Sequence, residues 1–350
     1  MAGMTDGIGL SLAYYQDVVA PLLHAVRPRL PHAAARLGSG SDVLGLDDET
    51  SRDHDWGLRL TVLVEGDRIE EVTGRLDEYL PETYAGRPTR FAITRDPAVR
   101  PRVDVATAEA FVASRLGLDA SGTLTALDWL CLTGQSLLEV TAGRVFTDDL
   151  GVLTGLRRAL SWYPDDVWRY VVAAGWIRLG EALPLLGRAG QRGDDLGSRV
   201  VCGHVGDTAM HLAFLLSRRW PPYPKWRGTL LTRLPVAGEL VPELAAALAA
   251  ERWTERQEAV ARALAVLHRA QRRAGLPTDE DPPTEPFFDR PYLGVRAAVP
   301  GLLLDDVTDP SVRALPPGVG SIEQWVDNVR VLTDAARRVR AARSALLPFA

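Results

Sequence analysis

The sequence contains few cysteines and a single lysine. Only two of its 350 residues are cysteine, Cys131 and Cys202, and both stand in apolar, helix-patterned surroundings. Their spacing is not that of metal ligands, and two cysteines cannot build a disulfide-rich scaffold. We therefore expect two core thiols in a reducing, cytoplasmic environment. Lys225 is the only lysine, so nearly all positive charge is carried by arginine.

Long apolar runs and a basic excess are also missing. No apolar run reaches the roughly 18 residues that a membrane-spanning helix requires, and the N-terminus lacks the pattern of a secretory signal. A formal net charge of −5 argues against a broad nucleic-acid footprint. With 46% hydrophobic and 24% charged residues, the composition is that of an ordinary globular protein with a large core. The length favours two domains.

The chemistry-bearing residues concentrate between positions 37 and 64. Gly40 and Ser41 predict a turn whose backbone can approach a phosphate closely. Asp53 and Asp55 open an apolar strand, and alternate residues of a strand face the same side, so the two carboxylates are expected about 7 Å apart. Such a pair beside a phosphate-binding turn is typical of phosphoryl or nucleotidyl transfer. The alternative is a charged strand entry at the surface.

A third carboxylate lies farther along the chain. Asp104 stands between two valines in a predicted strand, which puts it on the opposite face from both of them. Thr107 then predicts the start of a helix that ends at Gly117. The alternative for Asp104 is an aspartate on an edge strand that faces solvent.

These motifs resemble a known superfamily. Gly40-Ser41, eleven residues and then Asp53-x-Asp55 is similar to the signature of the DNA-polymerase-beta-like nucleotidyltransferases. The longer string GSGSDVLGLDDETSRDHDWG, with RVFTDDL, WYPDDVWRY, DLGSRVV and PYPKW, resembles a bacterial domain-of-unknown-function family, family 4037, placed in that superfamily. The resemblance implies that Asp104 is the third carboxylate of the site.

The reaction expected from these residues is displacement at the α-phosphate of a nucleoside triphosphate, with pyrophosphate leaving. Asp53, Asp55 and Asp104 would be the catalytic carboxylates and would hold two Mg²⁺ ions. Gly40, Ser41 and neighbouring amides would contact the phosphates of ATP or another nucleoside triphosphate. The acceptor is expected to be a hydroxyl of an unidentified small molecule, and neither nucleic acid nor membrane is an expected partner.

Two cations in the second half are further candidates for phosphate binding. Lys225 lies in a proline-rich segment that resembles a lysine-containing turn of antibiotic nucleotidyltransferases; the alternative is an exposed lysine above packed aromatic residues. Arg199 lies in the family-like string DLGSRVV, where Asp194 and Asp195 could equally be a helix cap.

The predicted fold class is α+β. A small mixed-sheet nucleotidyltransferase core at 1–120 is followed by an all-helical domain at 121–350 that would supply acceptor specificity. From residue 124 onward the sequence shows only helical periodicity. The alternative function is a nucleotide-binding regulatory or partner-binding protein that keeps the fold without transfer activity.

Overall fold

A computed structural model describes residues 6–52, 55–94, 96–120 and 122–347. These residues form two compact units. The first contains the described residues up to Thr123 together with Ser136–Ser161, and the second contains Leu124–Gln135 together with the described residues from Trp162 onward. The predicted α+β class is confirmed, with a small mixed sheet near the N-terminus and a mostly helical remainder.

The helices and strands up to residue 159 are, in chain order, α1 (Gly7–Tyr14), α2 (Ala20–Val26), β1 (Ala33–Ala35), β2 (Leu60–Leu63), α3 (Ile69–Tyr79), β3 (Thr83–Tyr84), β4 (Arg87–Pro88), β5 (Arg90–Ile93), β6 (Asp96–Pro101), β7 (Val103–Ala106), α4 (Ala108–Leu116), α5 (Ala126–Leu130), α6 (Gly134–Thr141), β8 (Val145–Asp148) and α7 (Val152–Ala159). A π-helical stretch, Tyr15–Val19, joins α1 to α2. Pro21 lies in the first turn of α2. Because proline lacks the N–H of an ordinary helical hydrogen bond, the irregular turn just before it is expected.

The remaining elements are α8 (Asp165–Gln191), α9 (Asp195–Leu216), α10 (Pro224–Leu231), α11 (Ala237–Ala249), α12 (Trp253–Arg273), β9 (Thr284–Pro286), β10 (Leu293–Val295), α13 (Ala298–Asp305), α14 (Pro310–Arg313), α15 (Ile322–Trp325), α16 (Val329–Leu332) and α17 (Ala335–Leu346). The expectation that no strand follows residue 124 is wrong for β8, β9 and β10. β8 pairs with β1, and β9 with β10.

The sheet of the first unit has the strand order β7-β2-β1-β8. β2 runs parallel to β7 and antiparallel to β1, which is antiparallel to β8. Every residue of β2 is buried, so both faces of this strand are covered. Leu60 and Val62 belong to a core cluster with Leu23 of α2 and with Val72 and Leu76 of α3. Leu63, which faces the other side of the strand from Val62, is buried as well but is not in that cluster.

The second unit is built on its long helices. Trp176 of α8 is fully buried, and its indole N–H donates to Gln271 Oε1 of α12 at 2.6 Å. The Gln271 amide also donates to Pro277 O, which fixes the start of the segment after α12. Trp168 donates in the same way to Leu215 O of α9 at 2.9 Å. Buried indoles with satisfied N–H groups therefore hold these helices together.

Candidate functional site

The topology of the first unit brings the predicted motifs to one end of the sheet. Ala35, the last residue of β1, pairs with Thr61 near the start of β2. Thr61 also pairs with Asp104 near the start of the parallel strand β7. The Gly-Ser turn after β1, the residues from Asp55 onward that lead into β2, and the start of β7 therefore lie at the same sheet end.

Asp104 projects from β7, which is an edge strand of the sheet. Its neighbours Val103 and Val105 pack on the helix-covered core, so Asp104 points to the other face. The side chain is 40% exposed, and Oδ1 lies 3.4 Å from Nη1 of Arg100. The aspartate is thus accessible to a ligand and lies beside the cationic side chain of Arg100.

Asp55 lies close to this sheet end, but its predicted geometry is wrong. β2 begins only at Leu60, and Asp55 has a φ of +60°, so it is not part of an extended strand. Its Oδ1 accepts a hydrogen bond from the Thr94 amide at 2.6 Å. Asp53 lies outside the described residues.

A buried ion pair shapes the Gly-Ser turn. Arg36 donates from Nε to Asp42 Oδ2 at 2.6 Å and from Nη2 to Oδ1 at 2.8 Å, and both residues are almost fully buried. Gly40 has a φ of +147°, and a Cβ there would overlap both Asp42 Oδ1 and Arg36 Nη2. This pair alone explains why glycine stands at position 40, whether or not a phosphate approaches.

The hydroxyl of Ser41 links the turn to the acidic segment. Ser41 Oγ donates to Ser51 O at 3.3 Å, in the 3₁₀ turn Thr50–Arg52 that immediately precedes Asp53. The turn and the segment leading to the first aspartate are therefore in direct contact. Among the described residues, the hydroxyl of Ser41 is hydrogen-bonded to this segment.

Arg59 is a site residue that the sequence reasoning missed. Its Nη1 donates to Ser39 O in the turn at 2.8 Å and to Asp55 O at 3.2 Å. Burial lowers its pKa to about 10, with Arg36 acting in the same direction, whereas Asp42 and Asp104 raise it. The guanidinium group of Arg59 thus contacts the Gly-Ser turn and the backbone of Asp55, and it interacts electrostatically with Asp104. The available signal was an arginine between two leucines of an otherwise apolar run.

The residues at this sheet end offer oxygen ligands, which Mg²⁺ prefers. Asp55 and Asp104 supply two carboxylates. No group of three or more histidine, cysteine, aspartate or glutamate side chains that could hold a metal occurs within the described ranges, from which Asp53 is absent. Carboxylates of this kind are suitable Mg²⁺ ligands, and binding of the ion here stays a prediction.

Lys225 and Arg199 belong to the second unit. Lys225 is exposed in the first turn of α10, and its Nζ lies 4.7 Å from the ring centre of Trp226. Arg199 Nε donates to Asp195 Oδ2 at 2.6 Å, so its charge is already paired. Asp194 accepts from the Gly197 amide at 2.8 Å, which confirms the helix-cap alternative for that residue. A phosphate-binding role of Lys225 or Arg199 stays a prediction.

Comparison with known proteins gives one match. Residues 129–227 match the family described as Domain of unknown function (DUF4037). This match supports the expected relation to that family, and it includes Arg199 and Lys225 but neither the Gly-Ser turn nor the three aspartates. No curated protein and no solved structure matches the chain significantly. In the part of the chain that the structure describes, no helix is long and apolar enough to cross a membrane.

Proposed function

We propose that the protein is a Mg²⁺-dependent nucleotidyltransferase that moves a nucleoside monophosphate, AMP from ATP in the first instance, onto a hydroxyl of a small molecule. The observation that carries the proposal is the pairing of Ala35, Thr61 and Asp104 across three strands. This pairing supports a common location for the Gly-Ser turn, Asp55 and Asp104 at one sheet end, which in-line phosphoryl chemistry would require.

In the proposed reaction, the acceptor hydroxyl oxygen forms a bond to the α-phosphorus. The bond from that phosphorus to the bridging oxygen breaks, pyrophosphate leaves, and the hydroxyl proton is transferred to a base. The backbone of the Gly-Ser turn would contact the outer phosphates. Asp53, Asp55 and Asp104 would hold Mg²⁺, which when bound neutralises phosphate charge.

Asp104 is also a candidate for orienting the acceptor. Its side chain is 40% exposed and Oδ1 lies 3.4 Å from Nη1 of Arg100, so the carboxylate is paired and still accessible to solvent. A carboxylate in this state can accept a hydrogen bond from an incoming hydroxyl.

A second candidate function is nucleotide binding without transfer. It is favoured by the engagement of both described aspartates, Asp55 by the Thr94 amide and Asp104 by Arg100. A protein of this kind would bind a nucleoside triphosphate and signal through a partner.

The test is transfer of label from α-labelled ATP, with Mg²⁺, into an extract of small metabolites. The wild type should form a labelled product and release pyrophosphate, and Asp104→Asn should lower the rate by at least about 100-fold. Asp149→Asn is the matched control. The Asp149 side chain is 49% exposed, and its backbone amide donates to His32 O, at the end of β1 opposite the Gly-Ser turn. Equal transfer by Asp104→Asn and the wild type would refute the proposal. Magnesium-dependent ATP binding without labelled product would favour the second candidate.

A further inference from the structure

Arg59 is a buried cation without a carboxylate partner in the described part of the chain. It is 8% exposed, and no aspartate or glutamate lies within ion-pair distance of it among those residues. The comparable buried arginines of this unit are paired, Arg36 with Asp42 and Arg102 with Asp96. An arginine keeps its proton at neutral pH, so Arg59 brings a buried positive charge to this site, and among the described residues Asp42 and Asp104 act on that charge from beyond ion-pair distance.

The guanidinium group is held by backbone oxygens from two separate segments. Nη1 donates to Ser39 O at 2.8 Å and to Asp55 O at 3.2 Å, and Nη2 lies 3.5 Å from Ser39 Oγ. These bonds fix the position of the Gly-Ser turn relative to the acidic segment. Asp55 itself has a left-handed backbone conformation, which surrounding contacts must maintain.

Among the described residues, the two carboxylates that act on Arg59 are also bonded to other arginines. Both carboxylate oxygens of Asp42 accept hydrogen bonds from Arg36. Asp104 is shared with Arg100. A ligand carrying several negative charges at the Gly-Ser turn would supply what these carboxylates do not, in a low-dielectric setting where the attraction is strong.

We propose that Arg59 is a positioning residue that fixes the spacing between the Gly-Ser turn and Asp55 and makes the turn selective for a polyphosphate over a single phosphate. The inference rests on the proposed function, because that function assigns the triphosphate to the Gly-Ser turn. It adds a residue outside the Gly-Ser and Asp-x-Asp motifs and names a selectivity that those motifs do not predict.

The experiment compares two substitutions of Arg59 with one matched control. Arg59→Lys keeps the charge but loses the planar group that reaches both segments, and Arg59→Met removes charge and bonds together. Arg157→Met is the control, because Arg157 is in the same unit and likewise donates to backbone carbonyls, those of Val140, Ala142 and Gly143. The probes are inorganic tripolyphosphate and inorganic phosphate, measured by calorimetry, together with amide hydrogen exchange of the turn.

The wild type should bind tripolyphosphate more tightly than phosphate. Loss of the positioning bonds and of the positive charge beside the turn should weaken tripolyphosphate binding by about 10-fold to 100-fold in Arg59→Met and by a smaller factor in Arg59→Lys. Both variants should speed exchange in residues 38–42 and 55–57, whereas Arg157→Met should bind like the wild type. Wild-type affinity in Arg59→Met, an equal loss in Arg157→Met, or no preference of the wild type for tripolyphosphate would overturn the inference.

The outcomes separate this inference from the proposed function. If Arg59→Met binds tripolyphosphate normally while label transfer still depends on Asp104, the inference fails and the transferase proposal stands. If binding depends on Arg59 but the wild type transfers no label to any acceptor, the inference stands and the transferase proposal fails.

Discussion

Replacement of Gly40 by alanine should destabilise the first unit strongly. The added Cβ would overlap Asp42 Oδ1 and Arg36 Nη2, so the two side chains must separate or the turn must move. Both partners are nearly fully buried, with relative exposures of 1% for Arg36 and 4% for Asp42. Breaking a buried ion pair costs about 3–5 kcal/mol. A φ of +147° adds strain of about 1–3 kcal/mol for a residue with a side chain.

Part of this cost overlaps, because movement of the turn relieves the strain and the clash together. We therefore expect Gly40→Ala to lower the free energy of unfolding by about 3–5 kcal/mol. Gly45→Ala is the matched control: Gly45 lies in the same loop with a φ of +65°, but its Cβ would meet no atom within 4 Å. Strain alone should cost that variant about 1–2 kcal/mol.

The assay is urea denaturation followed by circular dichroism, with the transition midpoints of both variants compared with the wild type. The reasoning is refuted if the two alanine variants lose the same stability, since the buried ion pair would then contribute nothing to the requirement for glycine. A loss in Gly45→Ala alone would contradict it as well.

Three further predictions follow from single contacts. Arg102 and Arg100 hold the pKa of Asp96 at about 2. The ionised carboxyl therefore stabilises the β5-β6 hairpin at pH values above its unfolded pKa of about 4, and this stabilisation is lost as the pH falls towards 2. A carboxyl ¹³C titration should show a midpoint near pH 2, and a midpoint near pH 4 would contradict the contact. Gln271→Leu should lower the free energy of unfolding by about 2–4 kcal/mol, because it leaves the Trp176 N–H and Pro277 O without their partner. Urea denaturation of this variant, with Gln271→Glu as the comparison, measures the loss. Asp104→Asn should leave the free energy of unfolding, measured by urea denaturation, within about 1 kcal/mol of the wild type while transfer is lost, since the side chain is exposed. A large loss of stability would make the role of Asp104 structural.

Sequence patterns predicted those elements whose signals are local. Thr107 caps α4 by accepting from the Ala110 amide, and Gly117 ends that helix in a left-handed conformation, as expected. The cap and the stop depend only on neighbouring residues, and long amphipathic helices are likewise defined by their own periodicity. For the same reason the division into a mixed sheet and a mostly helical remainder could be predicted.

The missed features depend on contacts between distant residues. β8 is four residues long and exists because it pairs with β1, more than a hundred residues earlier. The left-handed conformation of Asp55 is fixed by the amide of Thr94 and the guanidinium of Arg59, which no local pattern reveals. The bulk of Arg36 and Asp42 explains Gly40, although the sequence alone favoured a phosphate-binding reason for it.

The measurement that tests the account most directly is calorimetric binding of ATP in the presence and absence of Mg²⁺, by the wild type and by an Asp55→Asn, Asp104→Asn double variant. We predict Mg²⁺-dependent binding by the wild type and a loss of affinity of about 100-fold or more in the double variant. Equal binding by the two proteins, or binding by the wild type that is indifferent to Mg²⁺, would contradict the claim that these aspartates and the Gly-Ser turn form one site.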